Sequence, residues 1–165
     1  MEQLADAVYG NVTFESDRFD NSPQPHFVNP CCQCEEVVTW LQTQLERQLP
    51  GYRVGQPLQE DFGWLIELAP EGKEHFFTVV VASFKESEDD ENNSYGLYVV
   101  YDFIGSSLKR LFRKPPPPSV DEQASICQAI DAALHAETSI TKIQWWQGGF
   151  EIGQPEDHPT RGSGA

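Results

Sequence analysis

Residues 60 to 104 hold three apolar runs in close succession, and that succession limits the folds open to the chain more than any other feature. EDFGWLIEL (60–68) alternates Phe62, Trp64, Ile66 and Leu68 with Gly63, Leu65 and Glu67, the period of two that places one set on a buried sheet face. HFFTVVVASF (75–84) is apolar and β-branched almost throughout, which suits a central strand covered on both faces. YGLYVVYDFI (95–104) is a third strand. PEGKE (70–74) is a tight, glycine-containing hairpin loop, whereas KESEDDENNS (85–94) is long and acidic. Strands joined in this way form an antiparallel three-strand meander.

The flanking segments carry both strand and helix periods. VTFES (12–16) alternates as a strand and leads into the polar loop around DNSPQP. Asn29-Pro30 is a helix-start pair, because asparagine accepts from an orphan amide and proline at the first helical position has no N–H to lose. The helix it predicts runs to about Leu49, with Cys34, Val38, Leu41 and Leu45 on one stripe and Val37 and Trp40 at its edges; Pro50-Gly51 ends it. SSLKRLF (106–112) has room for a turn or two of helix before the extended run Pro115 to Pro118. Ser119 and Glu122 fit a capping box, in which hydroxyl and carboxylate each satisfy an orphan amide. The second helix then runs to about Ala136, with Ile126, Cys127, Ile130, Ala133 and Leu134 on one face.

TKIQWWQ (141–147) closes the regular structure, with Ile143 and Trp145 opposed to Gln144 and Trp146. From Gly148 the chain is glycine, proline and charge, and is expected to be a mobile tail over 148–165. The expected architecture is one α+β domain over 1–147. It has two layers: a mainly antiparallel sheet containing the meander, and two main helices packed on one face. At 165 residues such a domain buries a sufficient core without disulfide staples.

The formal charge of −15 is unevenly placed. Residues 1–108 hold 19 acids and 5 bases, a net −14, while residues 109–165 hold 7 acids and 6 bases, a net −1. A field of that sign opposes nucleic acid, whose affinity comes mostly from phosphate neutralisation; it either steers toward a basic protein partner or only keeps the chain soluble. Glu86, Glu88, Asp89, Asp90 and Glu91 make the densest acidic run. They lack the sixth-position glycine and twelfth-position glutamate of a calcium loop. KRLFRK (109–114) followed by four prolines resembles a proline-rich SH3-type ligand, but the preferred reading is a stiff spacer between elements. No apolar run approaches a membrane span, and MEQLADAVYG has neither a basic nor an apolar leader region; the expected location is the cytoplasm, with reduced thiols and no cofactor.

Cys31-Cys32-Gln33-Cys34 places the Cys-x-x-Cys spacing at a predicted helix start, where the macrodipole and free amides lower a thiol pKa. This much resembles a thioredoxin-type active site. The cysteine doublet, the missing Trp-Cys-Gly-Pro context and a preceding loop depart from it. A zinc site needs four ligands, and only His26 and Cys127 are conceivable additions. Cys34 and Cys127 also fall on apolar helix stripes, where a thiol acts as a small hydrophobe.

No nucleophile elbow, Walker loop or zinc-protease pair occurs, and His26, His75, His135 and His158 are scattered. Glu60, Asp61 and Asp102 would form an acid/base or cation site if their strands were neighbours; otherwise Asp102 belongs to an uncovered sheet face. Trp146, with Tyr98 or Trp64, would anchor a partner if the second sheet face is open.

The pairing of Asn29-Pro30 with the acidic helix Glu35-Glu36 ending in Trp40-Leu41, then EDFGW on a strand, resembles small uncharacterised bacterial α+β proteins over about residues 29–66. In type alone, the compact acidic chain is similar to immunity proteins that neutralise toxins. The expectation is a non-catalytic acidic binding protein, of inhibitor or immunity kind, that engages a basic protein through Glu60, Asp61, Glu86, Glu88, Asp89, Asp90, Glu91, Asp102 and Trp146. A thiol or metal protein using Cys31, Cys32 and Cys34, and an enzyme using Glu60, Asp61 and Asp102, are the alternatives.

Overall fold

A computed structural model describes residues 10–22, 24–28, 34–61, 63–84, 93–103, 119–147 and 154–156. The strands are β1 (Asn11–Ser16), β2 (Tyr52–Val54), β3 (Leu58–Glu60), β4 (Gly63–Pro70), β5 (His75–Phe84), β6 (Asn93–Phe103), β7 (Ile140–Gln147) and β8 (Gln154–Glu156). The helices are α1 (Glu35–Gln48) and α2 (Val120–Ala136). All the strands form one sheet in the order β2-β4-β5-β6-β1-β7-β8, with β3 beside β2 on the outer edge of β4. Every pairing is antiparallel. Both helices pack on one face, so the molecule is α+β, with the predicted meander as β4-β5-β6.

Register shows why the alternation produces one core. Ile66 lies opposite Val79 and Leu68 opposite Phe77; across the next strands Val81 meets Leu97, Leu97 meets Val12, and Val12 meets Trp145. All of these are buried beneath Val37, Val38, Leu41 and Leu45 of α1 and Ile126, Cys127, Ile130 and Leu134 of α2. Each large apolar side chain buried in this way contributes about 1.5–3 kcal/mol.

Helix α1 opens at Glu35, later than the Asn29-Pro30 pair predicts, and residues 29–33 lie outside the described residues. Cys34 stands at its N-cap without a side-chain cap bond. The reason is burial: Cys34 is fully enclosed, and its sulfhydryl donates to the Val81 carbonyl at 3.2 Å, so the sheet claims the group that would otherwise cap. Glu35 and Glu36 supply the negative first turn that the dipole favours.

The Ser119 capping box is half formed. Glu122 N donates to Ser119 Oγ at 3.3 Å, but the Glu122 carboxylate meets His75 Nε2 at 2.5 Å and ties the first turn of α2 to the start of β5. The short strands β2, β3 and β8 were not predicted. β8 comes from the segment read as a mobile tail and pairs with Trp145–Gln147. The predicted turn of helix at 106–112 and the proline run lie outside the described residues, as does Phe62.

Two glycines are required by their backbone. Gly63 has φ 154°, and a Cβ there would sit 2.4 Å from the Val81 carbonyl oxygen; Gly72, in the β4-β5 turn, has φ 73° with open space around it. The sheet is irregular toward both margins. Where β7 extends beyond the three-residue outermost strand β8, Lys142 has φ 52°, and the β1-β7 register shifts between Thr13 and Glu15. On the other edge β2 and β3 cover β4, and Gly55 N donates to Glu67 O at 2.8 Å between them.

Candidate functional site

Antiparallel register brings one end of β1, β4, β5, β6 and β7 together. Trp64 pairs with Val81, Phe84 with Ser94, Ser94 with Glu15, and Glu15 with Thr141. The N-terminus of α1 joins this end through Cys34 and Val81. The exit of α2 joins it through an ion pair between Arg18 and Glu137. Glu15, Asp17, Asp20, Glu35, Glu36, Glu60, Asp61 and Glu137 therefore gather here from separate stretches of chain.

Against these eight carboxylates stand two cations among the described residues, Arg18 on Glu137 and Lys142 on Glu15 at 2.9 Å. His26 Nε2 lies 2.8 Å from Glu35. Glu86, Glu88, Asp89, Asp90 and Glu91 fall in the chain between Phe84 and Asn93, which are both at this end, and lie outside the described residues.

Local bonds favour the ionised forms of Asp20 and Glu137 and hold the β1-α1 loop in shape. The Ser22 hydroxyl and amide donate to Asp20 Oδ1 at 2.5 and 2.8 Å and lower its pKa below the ordinary carboxylate value. Glu137 is lowered likewise, first by the Ser139 hydroxyl and amide and then by Arg18. The backbone N–H of Asp20 donates to Glu36. Tyr95, whose phenol burial pushes up to about 12, donates to Asn21 Oδ1 at 3.0 Å, and Asn93 Nδ2 donates to Phe19 O at 3.4 Å.

Phe19 is the loop's buried anchor, 5.5 Å from the Trp40 ring and 5.9 Å from Tyr95. The Arg18 guanidinium lies 5.4 Å from the Phe19 centroid and 6.0 Å from Trp40. Two open cavities adjoin this pair. One, of about 420 Å³, runs along α1 past Glu36, Thr39, Trp40, Thr43 and Gln44. The other, of about 510 Å³, is lined by Asp17, Asp20, Asn21, Ser22 and Asn93.

The remaining candidates are dispersed. Asp102 pairs with Phe76, whereas Trp64 pairs with Val81 on the same strand, so Asp102 and the Glu60-Asp61 turn lie at opposite ends of β5, roughly 20 Å apart at about 3.3 Å per residue. A carboxylate site built from all three is not assembled.

Cys34 and Cys127 are buried, and burial, followed by nearby Asp131, pushes the Cys127 thiol up to about 12, the opposite of an activated thiol. Cys31 and Cys32 fall outside the described residues. His26 is exposed, and among the described residues no three His, Cys, Asp or Glu groups converge as a metal site.

Trp146 lies on the sheet face away from the helices, in the cross-strand row Leu65, Val80, Tyr98, Asn11, Trp146. Its indole donates to Thr13 Oγ1 at 2.8 Å. Trp64 cannot join it, because Trp64 is buried on the helix face, 5.6 Å from Phe27.

Sequence reading did not single out Arg18, Phe19 or Glu137. Their only local signal is an arginine beside a phenylalanine, while their partners lie far along the chain. No described helix is long and apolar enough to cross a membrane. No family model, curated protein or solved structure matches the chain.

Proposed function

We propose that the protein is a non-catalytic binding protein of inhibitor or immunity kind, which offers the acidic end of its sheet to a basic cleft on another protein. The observation that carries this reading is the convergence of eight carboxylates from separate chain segments on one end, with Asp20 and Glu137 held ionised by local donors. Charge of one sign gathered on a fixed surface raises association rates and rejects partners of like charge. A nucleic-acid partner is disfavoured on the same ground.

The thiol reading loses support from the burial of Cys34 and Cys127. The enzyme reading loses support from the separation of Asp102 from Glu60 and Asp61.

Immobilised protein incubated with extract of its native host should retain a basic protein whose binding weakens steeply between low and physiological salt. Reversing the exposed pair, Glu60→Lys with Asp61→Lys, should slow association roughly ten-fold and flatten the salt dependence. A complex indifferent to salt and to this reversal would overturn the reading.

A further inference from the structure

Arg18 makes contacts of the kind a recognition site makes with a bound guanidinium group. Its planar head lies over Phe19 and Trp40, which meet at an interplanar angle of 51°, and ion-pairs with Glu137. Aromatic faces together with a carboxylate favour arginine over lysine, since a flat, weakly hydrated fork stacks and pairs where an ammonium acts as a point charge. The side chain of Arg18 is 43% exposed, and exposed ion pairs stabilise little, so its place can be taken at small cost. Both open cavities are lined by Arg18 and Phe19, and one of them also by Trp40, so the aromatic part of the cage is open to a side chain from outside.

We infer that Phe19, Trp40 and Glu137 form a guanidinium cage, occupied in the unbound protein by Arg18 as an internal stand-in, whose external ligand is an arginine side chain of the partner. This rests on the acidic-end reading above and specifies the group that reading would recognise. The competing account is a structural clasp, in which Arg18 only ties the exit of β1 to the α2-β7 turn.

Hexa-arginine and hexa-lysine peptides separate the two accounts. R18A should bind hexa-arginine roughly five-fold more tightly than the unaltered protein, with hexa-lysine changing less than about two-fold. K142Q removes a cation from the same end without opening the cage, and should improve both peptides equally and slightly. On the unaltered protein, proton–nitrogen spectra should show the Trp40 indole and the Arg18 Nε–H shifting with hexa-arginine and not with hexa-lysine, a readout that stands even if R18A unfolds. If both peptides bind with salt dependence but neither R18A nor the spectra distinguish them, the cage is wrong and the acidic-end reading survives. If neither peptide binds at low salt, both fall.

Discussion

At one end of the sheet, Glu15, Asp17, Asp20, Glu35, Glu36, Glu60, Asp61 and Glu137 crowd around Arg18 and Lys142. At the other, Arg47, Arg53 and Lys73 are interspersed with Glu46, Glu71, Glu74, Asp102 and Asp121, and Glu122 shares a hydrogen bond with His75, so acids outnumber bases less steeply there. The long strands run through both, so the difference lies in what the strand ends, the connections and the first turn of α1 carry. Like charges repel, and an end that concentrates them must be fastened by contacts that do not depend on charge.

That fastening is visible. The Val81 carbonyl receives the Cys34 sulfhydryl and is approached so closely by Gly63 that no side chain fits between; Tyr95 holds Asn21, and Phe19 is buried against Trp40. The mixed-charge end closes with a loose turn in which Gly72 has nothing within 4 Å of an added Cβ. The described part of the acidic end is thus closely packed beneath its charges, which suits a surface that must keep its shape until a partner arrives.

The sharpest way to break this contrast is to add one methyl group at each end. Gly63→Ala should destabilise by about 3 kcal/mol or more, because strained φ combines with a collision against backbone; Gly72→Ala should cost only about 1 kcal/mol, for φ alone. Urea denaturation of the two variants measures both, and equal losses would refute the claim that the acidic end is the tighter joint.

Alkali should treat the ends alike, since each holds a tyrosine pushed up to about 12, Tyr95 by burial and Tyr52 by burial and then Glu122. The unfolded chain ionises these phenols near 10.0 and Cys127 near 9.0, so the stability that depends on their neutral forms is complete below pH 9 and declines as pH rises toward 12. Each group contributes at most about 1.4 kcal/mol per pH unit, less for the tyrosines after solvent screening. C127A should remove the first part of the decline, between pH 9 and 10. Y52F and Y95F should each reduce the later part, read as denaturation midpoints across the pH series.

The smallest effect expected is that of salt. Raising ionic strength from about 0.01 to 0.15 M shortens the screening length from roughly 30 to 8 Å and should raise the melting temperature by a few degrees. R18A, which leaves the acidic end more negative, should show a larger rise than R53A at the other end.

Much of this architecture is written in sequence periods. The meander and α2 emerge at their predicted places because alternation and the helical stripe are properties of runs long enough to show them. Three-residue strands are too short for a period: β2 and β3 exist because β4 offers an edge. The carboxylate of Glu122 went elsewhere because a tertiary partner, His75, outbid the local cap. The candidate site was half legible. Its acidity is a matter of counting, but the corner where Arg18 meets Trp40 and Glu137 joins residues separated by as many as 119 positions, which no local pattern encodes.

The left-handed lysine in β7 and the paired short strands along β4 have a consequence for how the chain meets its own kind. A sheet whose outermost described strands have three residues each offers a neighbour's backbone little to pair with, so stacking into fibrils is discouraged. Contacts with other molecules then fall to side chains, and side-chain specificity can change one substitution at a time while the hydrogen-bonded ladder stays intact.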